Sequence, residues 1–310
     1  MALKTQRKIY LSLEKIHNQT RLKKSIILKV FLSPNQNYRH YRLKKKTGGY
    51  RDISIPNPSL SRIQRAISAE LTELVEMNDC VHGFIRGRSI ISNASAHLGG
   101  ENFLQTDIMD FFGSCDDDKF LSNFVPLIRG KNTVTILRQF CFLNGKLPQG
   151  APSSPVISNI CANALDLEVD KYCRQNSFIY TRYADDLNLS GKVITPRALG
   201  EVKSIIERHG FSQNLKKTRL INSGRKVIIT GISVGRGKLH IPRELKREIR
   251  RDAHFLKING IIAESGFEKP YDPFYFDRVM GRLNYWNQVE PDNLYPIRLM
   301  KELNELKLSV

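Results

Sequence analysis

The sequence predicts an α+β protein in which strands occupy the middle of the chain and helices its end. Residues 179–183 and 187–190 alternate apolar and polar side chains, which is the period of a half-buried strand. Residues 61–77 repeat apolar side chains every three or four positions, which is the period of a helix packed on a core. Strands and helices segregated in this way are typical of the α+β class.

The first part of the chain is predicted to contain basic helices and a hairpin. Residues 1–32 are basic and helical in parts, and Ser33-Pro34-Asn35 is a turn signal that ends them. Residues 38–55 alternate in polarity around Gly48-Gly49, so we expect a basic hairpin there, followed by the helix at 61–77.

The later elements are predicted from apolar runs and from Pro and Gly signals. Residues 103–108 are apolar enough for a buried strand, with Asp107 near its end. A helix is predicted to begin at Ser154-Pro155, because proline is favoured at the first helical position. Residues 226–241 are predicted to form short strands separated by glycines, and Pro242 opens a helix.

The net charge of +19 over 310 residues is concentrated in two regions. Residues 1–51 contain fourteen Lys and Arg against one Glu, and residues 216–257 contain thirteen against three acidic residues. A single basic run is usually a solvated face. Two basic regions that flank an acidic centre instead indicate a polyanion held from both sides, and nucleic acid is the natural polyanion.

Other features of the composition restrict the compartment and the partners. No apolar run approaches the roughly 20 residues that span a bilayer, and no secretory signal is visible, so we expect no membrane partner. The five cysteines are far apart in sequence, which supports neither a disulfide framework nor a zinc site. We therefore expect a cytoplasmic location.

Three aspartates give the strongest chemical signal. Asp185 and Asp186 stand at the predicted tip of a hairpin, and adjacent carboxylates tolerate full ionisation only beside a cation or strong donors. A solvated Asp-Asp turn is the ordinary alternative. Asp107 adds a third carboxylate on a buried strand, where an unmatched charge is costly. Three such ligands suit two Mg²⁺ ions that clamp an attacking and a leaving oxygen.

Four blocks in fixed order resemble those of reverse transcriptases. They are Thr106-Asp107 through Phe112, Leu147-Pro148-Gln149-Gly150-Ala151-Pro152-Ser153-Ser154-Pro155, Tyr183-Ala184-Asp185-Asp186, and Asn214-Leu215-Lys216-Lys217-Thr218. The resemblance implies an RNA-directed DNA polymerase with a right-hand architecture. It implies an N-terminal extension and fingers in residues 1–102, a palm in 103–241 with a fingers insertion near 119–147, and a helical thumb in 242–310.

The resemblance also assigns catalytic roles. The implied catalytic residues are Asp107, Asp185, Asp186 and Lys217. The three aspartates would bind two Mg²⁺ ions, with the main chain of Ile108 beside the metal site, and Lys217 would protonate the leaving pyrophosphate. Because Lys216 is adjacent, the register of this lysine stays open, and a plain surface pair is the alternative.

The incoming deoxynucleoside triphosphate is expected to contact a further set of residues. These residues are Arg51, Asp110, Phe111, Phe112, Gln149 and Gly150. Phe112 matches the family's steric gate, a ring that excludes the 2′-hydroxyl of a ribonucleotide. From the sequence alone, the two phenylalanines could instead belong to the core, Gly150 could only shape a turn, and Arg51 could be a solvated cation.

Two further elements resemble those of retron reverse transcriptases. The stretch Asn93-Ala94-Ser95-Ala96-His97 matches an Asn-Ala-x-x-His element, and Ile229-Thr230-Gly231 matches a Val-Thr-Gly triplet with Ile in place of Val. On a helix, Asn93 and His97 would share one face, although a structural pair is the alternative. The residues expected to contact RNA are Asn93, His97, Thr230, Gly231, Lys246, Arg247, Arg250 and Arg251.

The retron resemblance implies the substrate and the partners. Such an enzyme binds its cognate structured noncoding RNA, starts synthesis at the 2′-hydroxyl of a guanosine, and makes multicopy single-stranded DNA in a branched RNA–DNA molecule. It also implies antiphage defence through an effector protein encoded nearby. Two alternatives stay open, namely another bacterial reverse transcriptase, either group II intron-like or of a stand-alone defence type, and a non-catalytic RNA-binding scaffold.

Overall fold

The computed structural model describes residues 8–45, 48–222, 224–235, 237–259 and 272–308. The described residues fall into two units. The first joins the residues up to Ser89 with Glu101–Ile221, and the second joins Ile90–Gly100 with the residues from Asn222 onward. The division into fingers, palm and thumb at the boundaries given above stays a prediction.

The first unit begins with helices and the expected hairpin. Its elements are α1 (Leu13–Thr20), α2 (Lys24–Leu32), β1 (Tyr38–Lys44), β2 (Tyr50–Pro56) and α3 (Pro58–Leu74), with a short 3-10 turn after α2. Strands β1 and β2 pair antiparallel, as their alternation predicted.

Helix α3 begins three residues earlier than its apolar period alone indicates. The side-chain oxygen of Asn57 accepts a hydrogen bond from the backbone N–H of Leu60 at 2.9 Å, and Pro58 occupies the first turn. An Asn cap followed by Pro is a strong helix start, because both residues satisfy or remove N–H groups that lack a partner inside the helix.

A four-stranded antiparallel sheet forms the centre of the first unit. Its strands are β3 (Asn102–Asp107), β4 (Ile179–Tyr183), β5 (Asp186–Gly191) and β6 (Arg219–Ile221), and their order in the sheet is β4-β5-β3-β6. Strand β3 therefore lies between β5 and β6, and its last residue lies beside the hairpin of β4 and β5. The strands predicted at 103–108 and on both sides of the paired aspartates are confirmed.

Five helices of the first unit lie between or after these strands. They are α5 (Asp117–Phe124), α6 (Lys131–Cys141), α7 (Ser154–Cys161), α8 (Asn163–Gln175) and α9 (Pro196–Arg208). Helix α7 begins at the predicted Ser154-Pro155. Leu104, Leu187, Leu165 and Val202 from the sheet and helices are fully buried, and this shared apolar core fixes the sheet against its helices.

The second unit combines one short helix with a small sheet and three long helices. Its elements are α4 (Ile90–Ser95), β7 (Val227–Ile229), β8 (Ile232–Val234), β9 (Leu239–His240), α10 (Arg243–Asn259), α11 (Tyr275–Val289) and α12 (Leu294–Leu308). The strands form an antiparallel sheet in the order β7-β8-β9, and the helix predicted after Pro242 is α10. Ile249, Leu283, Trp286 and Leu303 are buried inside this unit.

Within the described ranges, none of the helices has both the length and the apolar character needed to cross a bilayer.

Candidate active site

The tip of the β4–β5 hairpin carries two aspartates in a strained turn. Tyr183 pairs with Asp186, so Ala184 and Asp185 form the loop between the strands. Ala184 has a φ of +57°, in the left-handed region that residues with a Cβ avoid, at a typical cost of about 1–2 kcal/mol. A backbone strained in this way persists only where its surroundings fix it.

The buried side chain of Arg182 supports this turn from inside the protein. Arg182 is fully buried, and its guanidinium donates to the carbonyl oxygen of Ala184 at 3.0 Å. The same group donates to both oxygens of the buried Asp166 at 2.7 and 2.6 Å, and to the side-chain oxygen of Asn159 at 3.1 Å. Burial alone would lower the pKa of Arg182, but the Asp166 carboxylate outweighs it and holds that pKa above its ordinary value.

The hairpin tip is also backed by a neighbouring backbone segment. The backbone N–H of His82 donates to the carbonyl oxygen of Arg182 at 2.8 Å, and Asn159 donates to the carbonyl oxygen of Gly83 at 2.9 Å. A Cβ added at Gly83 would lie 2.6 Å from the backbone nitrogen of Ala184. Glycine is therefore required at 83, because any side chain there would displace the turn.

Three carboxylates converge at this tip. Strand β3 pairs with β5 so that Asp107 lies directly opposite Asp186, and the N–H of Ile108 donates to the carbonyl oxygen of Asp185 at 2.9 Å. One carboxylate oxygen from each of the three aspartates lies within 4.8 Å of the others. Asp107 is buried, Asp185 is half-buried and Asp186 is exposed, so the cluster opens from the sheet edge to solvent.

The carboxylates of this cluster destabilise one another's ionised forms. Burial is the largest cause that raises the pKa of Asp185 to about 6, and the charges of Asp186 and Asp107 add to it. Although Asp186 reaches solvent, desolvation of its carboxylate by neighbouring groups and the charge of Asp107 also raise its pKa. A bound cation would remove this mutual repulsion, which is the electrostatic property of a metal site.

Asn214 and Lys217, which follow α9 in the chain, both contact Asp107. Asn214 donates from its side-chain nitrogen to one carboxylate oxygen at 3.0 Å, and Lys217 donates from Nζ to the other at 2.6 Å. The hydrogen bond between Lys217 and Asp107 is the largest cause of the raised pKa of Lys217. Of the two adjacent lysines, Lys217 is therefore the one in contact with the carboxylates. The sequence pattern did not indicate this role of Asn214, although the residue begins the last of the four reverse transcriptase blocks.

Comparisons with known proteins agree with this geometry. The family described as "Reverse transcriptase (RNA-dependent DNA polymerase)" matches residues 43–234. The Retron Ec86 reverse transcriptase of Escherichia coli is 31% identical over 251 residues, which cover 79% of this chain and 78% of the relative. The Retron Ec83 reverse transcriptase of the same organism is 30% identical over 279 residues, covering 79% of this chain and 86% of the relative. The chain belongs to the retron reverse transcriptases.

Family membership fixes the fold and the reaction class of this reverse transcriptase. Its α+β architecture is the right-hand polymerase fold, and its activity is RNA-directed DNA polymerisation. Reverse transcriptases use divalent metals, and a cluster of hard carboxylate oxygens on rigid strands fits such an ion. The residues available to hold it are Asp107, Asp185 and Asp186.

The turn after β3 carries the predicted nucleotide-binding residues of this reverse transcriptase. Asp110 is exposed and left-handed with a φ of +45°, and its carbonyl oxygen accepts the N–H of Ser114 at 2.7 Å. Phe111 is buried in the core and its ring faces the guanidinium of Arg182 at 5.5 Å. Phe112 is only half-buried, so part of its ring remains accessible. A purely structural role in the core therefore fits Phe111 better than Phe112.

The loop that contains Gln149 and Gly150 is attached to strand β2. The carbonyl oxygen of Gln149 accepts the N–H of Ser54 at 2.8 Å. Gly150 has a φ of +115°, and a Cβ there would approach Ile53 and Ser54 to 3.1 Å. Arg51 is exposed on the same strand. The loop and the strand that carry three predicted nucleotide contacts therefore form one hydrogen-bonded piece of the first unit.

The two retron elements meet inside the second unit. Thr230 and Gly231 form the left-handed turn between β7 and β8, with φ of +46° and +84°. Asn93, which is fully buried, donates to the hydroxyl oxygen of Thr230 at 3.3 Å, and that hydroxyl donates to the carbonyl oxygen of Ile90 at 3.3 Å. Elements 137 residues apart in sequence are thus joined.

The pair Asn93 and His97 does not share one helical face. Helix α4 ends at Ser95, so His97 lies in the turn that follows, where its N–H donates to the carbonyl oxygen of Ala94 at 3.1 Å. Both side chains are fully buried, which favours the structural alternative over direct contact with RNA. The expectation of one shared helical face is wrong because α4 has only six residues.

The basic residues of α10 divide into two groups. Lys246 donates to the buried Glu290 at 2.6–2.8 Å and lies over the ring of Trp286, so it holds α10 against α11. Arg247, Arg250 and Arg251 are exposed, and the Arg250 guanidinium also lies over the rings of Trp286 and Tyr295, at 5.5 and 5.0 Å from the ring centroids. Of the four predicted RNA contacts on this helix, these three present charge to solvent.

Proposed function

We propose that this enzyme reverse transcribes a cognate structured noncoding RNA into multicopy single-stranded DNA, starting from the 2′-hydroxyl of a guanosine, with two Mg²⁺ ions at Asp107, Asp185 and Asp186. The convergence of these three carboxylates within 4.8 Å carries the proposal. A protein that only bound RNA would gain nothing from such a cluster, because carboxylates repel phosphate unless a metal lies between them. A non-catalytic scaffold is therefore the weaker alternative.

The chain's own residues prepare the site for chemistry. Bound Mg²⁺ would lower the pKa of the attacking hydroxyl and neutralise charge on the transferring phosphate. Asn214 and Lys217 orient the Asp107 carboxylate from two sides. The hydrogen bond to Asp107 holds Lys217 beside the site and raises its pKa, and we assign this lysine the protonation of the departing pyrophosphate.

The nucleotide would lie beside the turn of residues 108–112. Phe112 offers a half-buried ring next to this turn, and we assign it the exclusion of ribonucleotides. Arg51, Gln149 and Gly150 would contact the triphosphate, the base and the template. Of these, Arg51 supplies the positive charge that a triphosphate requires, and it is exposed on β2.

RNA recognition would fall to the second unit. Arg247, Arg250 and Arg251 on α10 are suited to the backbone and stems of structured RNA, since A-form RNA is recognised by shape and phosphates more than by base edges. The buried contact between Asn93 and Thr230 would shape the turn at Gly231 for the RNA rather than touch it directly.

To test the proposal, the enzyme is expressed together with its neighbouring genomic sequence. The nucleic acid that copurifies with the enzyme is then analysed. We expect one RNA species joined to DNA through a 2′,5′ branch, which a debranching enzyme separates into two strands. The Asp107→Asn variant should yield the same RNA without DNA. Linear cDNA without a branch would instead indicate a group II intron-like or stand-alone enzyme.

A role in antiphage defence through an effector encoded nearby extends this proposal. Cells that carry the complete locus should plate phage less efficiently than cells in which the enzyme bears Asp107→Asn. Equal plating with both alleles would leave the polymerase proposal intact and remove the defence role.

A further inference from the structure

Phe84 has a backbone conformation that is unusual for an aromatic residue. It is a bulky aromatic residue with a φ of +63°, in a turn position where Gly or Asn is the ordinary choice. The residue is 44% exposed, so this conformation belongs to a surface aromatic residue and not to a member of the core. Strained, exposed aromatic residues of this kind cluster at functional sites, where the surroundings impose the geometry.

The segment that carries Phe84 is held rigidly. Arg88 donates from one guanidinium nitrogen to the carbonyl oxygens of Asn78 and Val81, at 2.7 and 2.6 Å. Gly83, the residue before Phe84, is fixed by Asn159 and lies against the backbone of Ala184. The position of the Phe84 ring is therefore set relative to the hairpin that carries Asp185.

The ring of Phe84 lies against Phe112. The ring centroids are 6.2 Å apart and the rings are tilted by 46°, an arrangement that aromatic pairs favour. Phe112 in turn lies against Phe111, at 5.7 Å between centroids, and Phe111 is buried. In this row of three rings, Phe112 contacts both of the others, and Phe84 is the solvent-facing member.

We propose that Phe84 is a specificity-determining residue that keeps the ring of Phe112 in place against the sugar of the incoming nucleotide, and so sets how strongly ribonucleoside triphosphates are rejected. The inference rests on the proposed role of Phe112. A half-buried ring excludes a hydroxyl group only if it cannot turn away, and the contact with Phe84 restricts the movement of the Phe112 ring. Phe84 is a positioning residue, because it acts through Phe112.

The test is single-nucleotide incorporation on a primed RNA template, with kcat/KM measured for dGTP and for GTP on the same enzyme preparation. The ratio of the two constants does not depend on the folded fraction, so a misfolded preparation cannot imitate the effect. Phe84→Gly is the informative variant, because glycine accepts the left-handed backbone without strain, so the variant removes the ring contact and leaves the turn in place. We expect discrimination against GTP to fall roughly three- to tenfold, which is the size of one aromatic pair.

Three companion variants make the result decisive. Phe84→Tyr keeps the ring and should retain the wild-type ratio. Ser177→Gly relieves a φ of +58° at an exposed position outside the row of rings, so its ratio and rates should match wild type. Phe112→Ala should lower the ratio at least as much as Phe84→Gly does.

Each failure has its own meaning. If Phe112→Ala lowers the ratio and Phe84→Gly does not, the inference about Phe84 is wrong and the role of Phe112 stands. If neither variant changes the ratio, the proposed role of Phe112 is wrong and the inference falls with it.

Discussion

Two charged clusters meet at the β4–β5 hairpin, one with Asp166 of α8 and one with Asp107 of β3, and they are built in opposite ways. Below the turn, Arg182 and Asp166 are both fully buried and neutralise each other through two short hydrogen bonds. At the tip, Asp107, Asp185 and Asp186 lie together with an excess of negative charge that Lys217 only partly offsets. The first cluster is complete without a ligand, and the second is not.

The difference shows how the hairpin separates support from binding. A buried ion pair is stable only when every donor and acceptor is satisfied, and the pair below the turn meets this condition with help from Asn159, Tyr180 and the Ala184 carbonyl. The carboxylates at the tip repel one another, and the cluster opens to solvent at Asp186. The pair of Arg182 and Asp166 thereby holds the mutually repelling carboxylates in place in the absence of a bound cation.

The largest effect is expected from neutralising one carboxylate at the tip. Asp185→Asn should reduce Mg²⁺-dependent DNA synthesis by at least about a thousandfold, because a metal ligand is lost, while RNA binding survives. It should also raise the thermal midpoint of the metal-free protein at neutral pH, because a repelling charge is gone. Primer extension with Mg²⁺ and EDTA measures the first effect, and thermal unfolding in EDTA measures the second.

Asp118→Asn is the control for this experiment, since Asp118 is an exposed aspartate of the first unit. It should leave synthesis unchanged. Retained synthesis in Asp185→Asn would contradict the assignment of the tip as the catalytic centre.

The next effect comes from breaking the buried pair. Arg182→Met should destabilise the protein by about 3–5 kcal/mol, because Asp166 is left as an unpaired buried charge. Urea unfolding measures this change. The double variant Arg182→Met/Asp166→Leu should recover most of the stability but not the activity, because the Ala184 carbonyl still lacks its donor. Full activity in the double variant would mean that the pair supports only folding.

A smaller effect is expected from metal and pH. The pKa of Asp185 is raised to about 6, so the metal-free fold is favoured while this group is protonated and loses that contribution as the pH rises through about 6. Mg²⁺ binds the ionised carboxylates, so it should stabilise the protein more at about pH 7.5 than at about pH 5. The gain should be near 2.7 kcal/mol at a hundred times Kd.

Sodium chloride of equal ionic strength is the control for this measurement, because screening also weakens carboxylate repulsion. An equal gain from Mg²⁺ at both pH values would contradict a metal site at these residues.

The smallest effect is expected from an exposed ion pair on the same helix as Asp166. Arg174 pairs with Asp170 at 2.9 Å, and its side chain is 71% exposed. Arg174→Ala should leave the urea midpoint and the rate of synthesis unchanged, because solvent screens such pairs. A loss as large as that of Arg182→Met would show that burial does not distinguish the two arginines.

The sequence predicts the chemistry of the tip better than its support. Asp107, Asp185 and Asp186 stand in short blocks whose strand pattern and spacing can be read locally, and the structure brings them together. Asp166 and Arg182 carry no such signal, since a helix Asp and a strand Arg sixteen residues apart look like ordinary surface charges. Their burial depends on how α8 packs on the sheet, which periodicity alone does not specify.

The residues predicted to contact RNA show the same limit. Lys246 is indistinguishable by sequence from Arg247 beside it, yet only tertiary packing gives it the partner Glu290. Likewise, the Asn-Ala-x-x-His spacing indicates one helical face, and the short length of α4 removes it.

The hydrogen bond between Asn93 and Thr230 has a consequence for biosynthesis. A ribosome that has released the chain through residue 221 has delivered every strand of the central sheet, whereas α4 emerged long before and still lacks β7 and β8. The first unit, which carries the three aspartates, can therefore fold during translation. Helix α4, which carries Asn93, can pack only after β7 and β8 have been synthesised. A cut at any single peptide bond between 101 and 221 would divide both units at once.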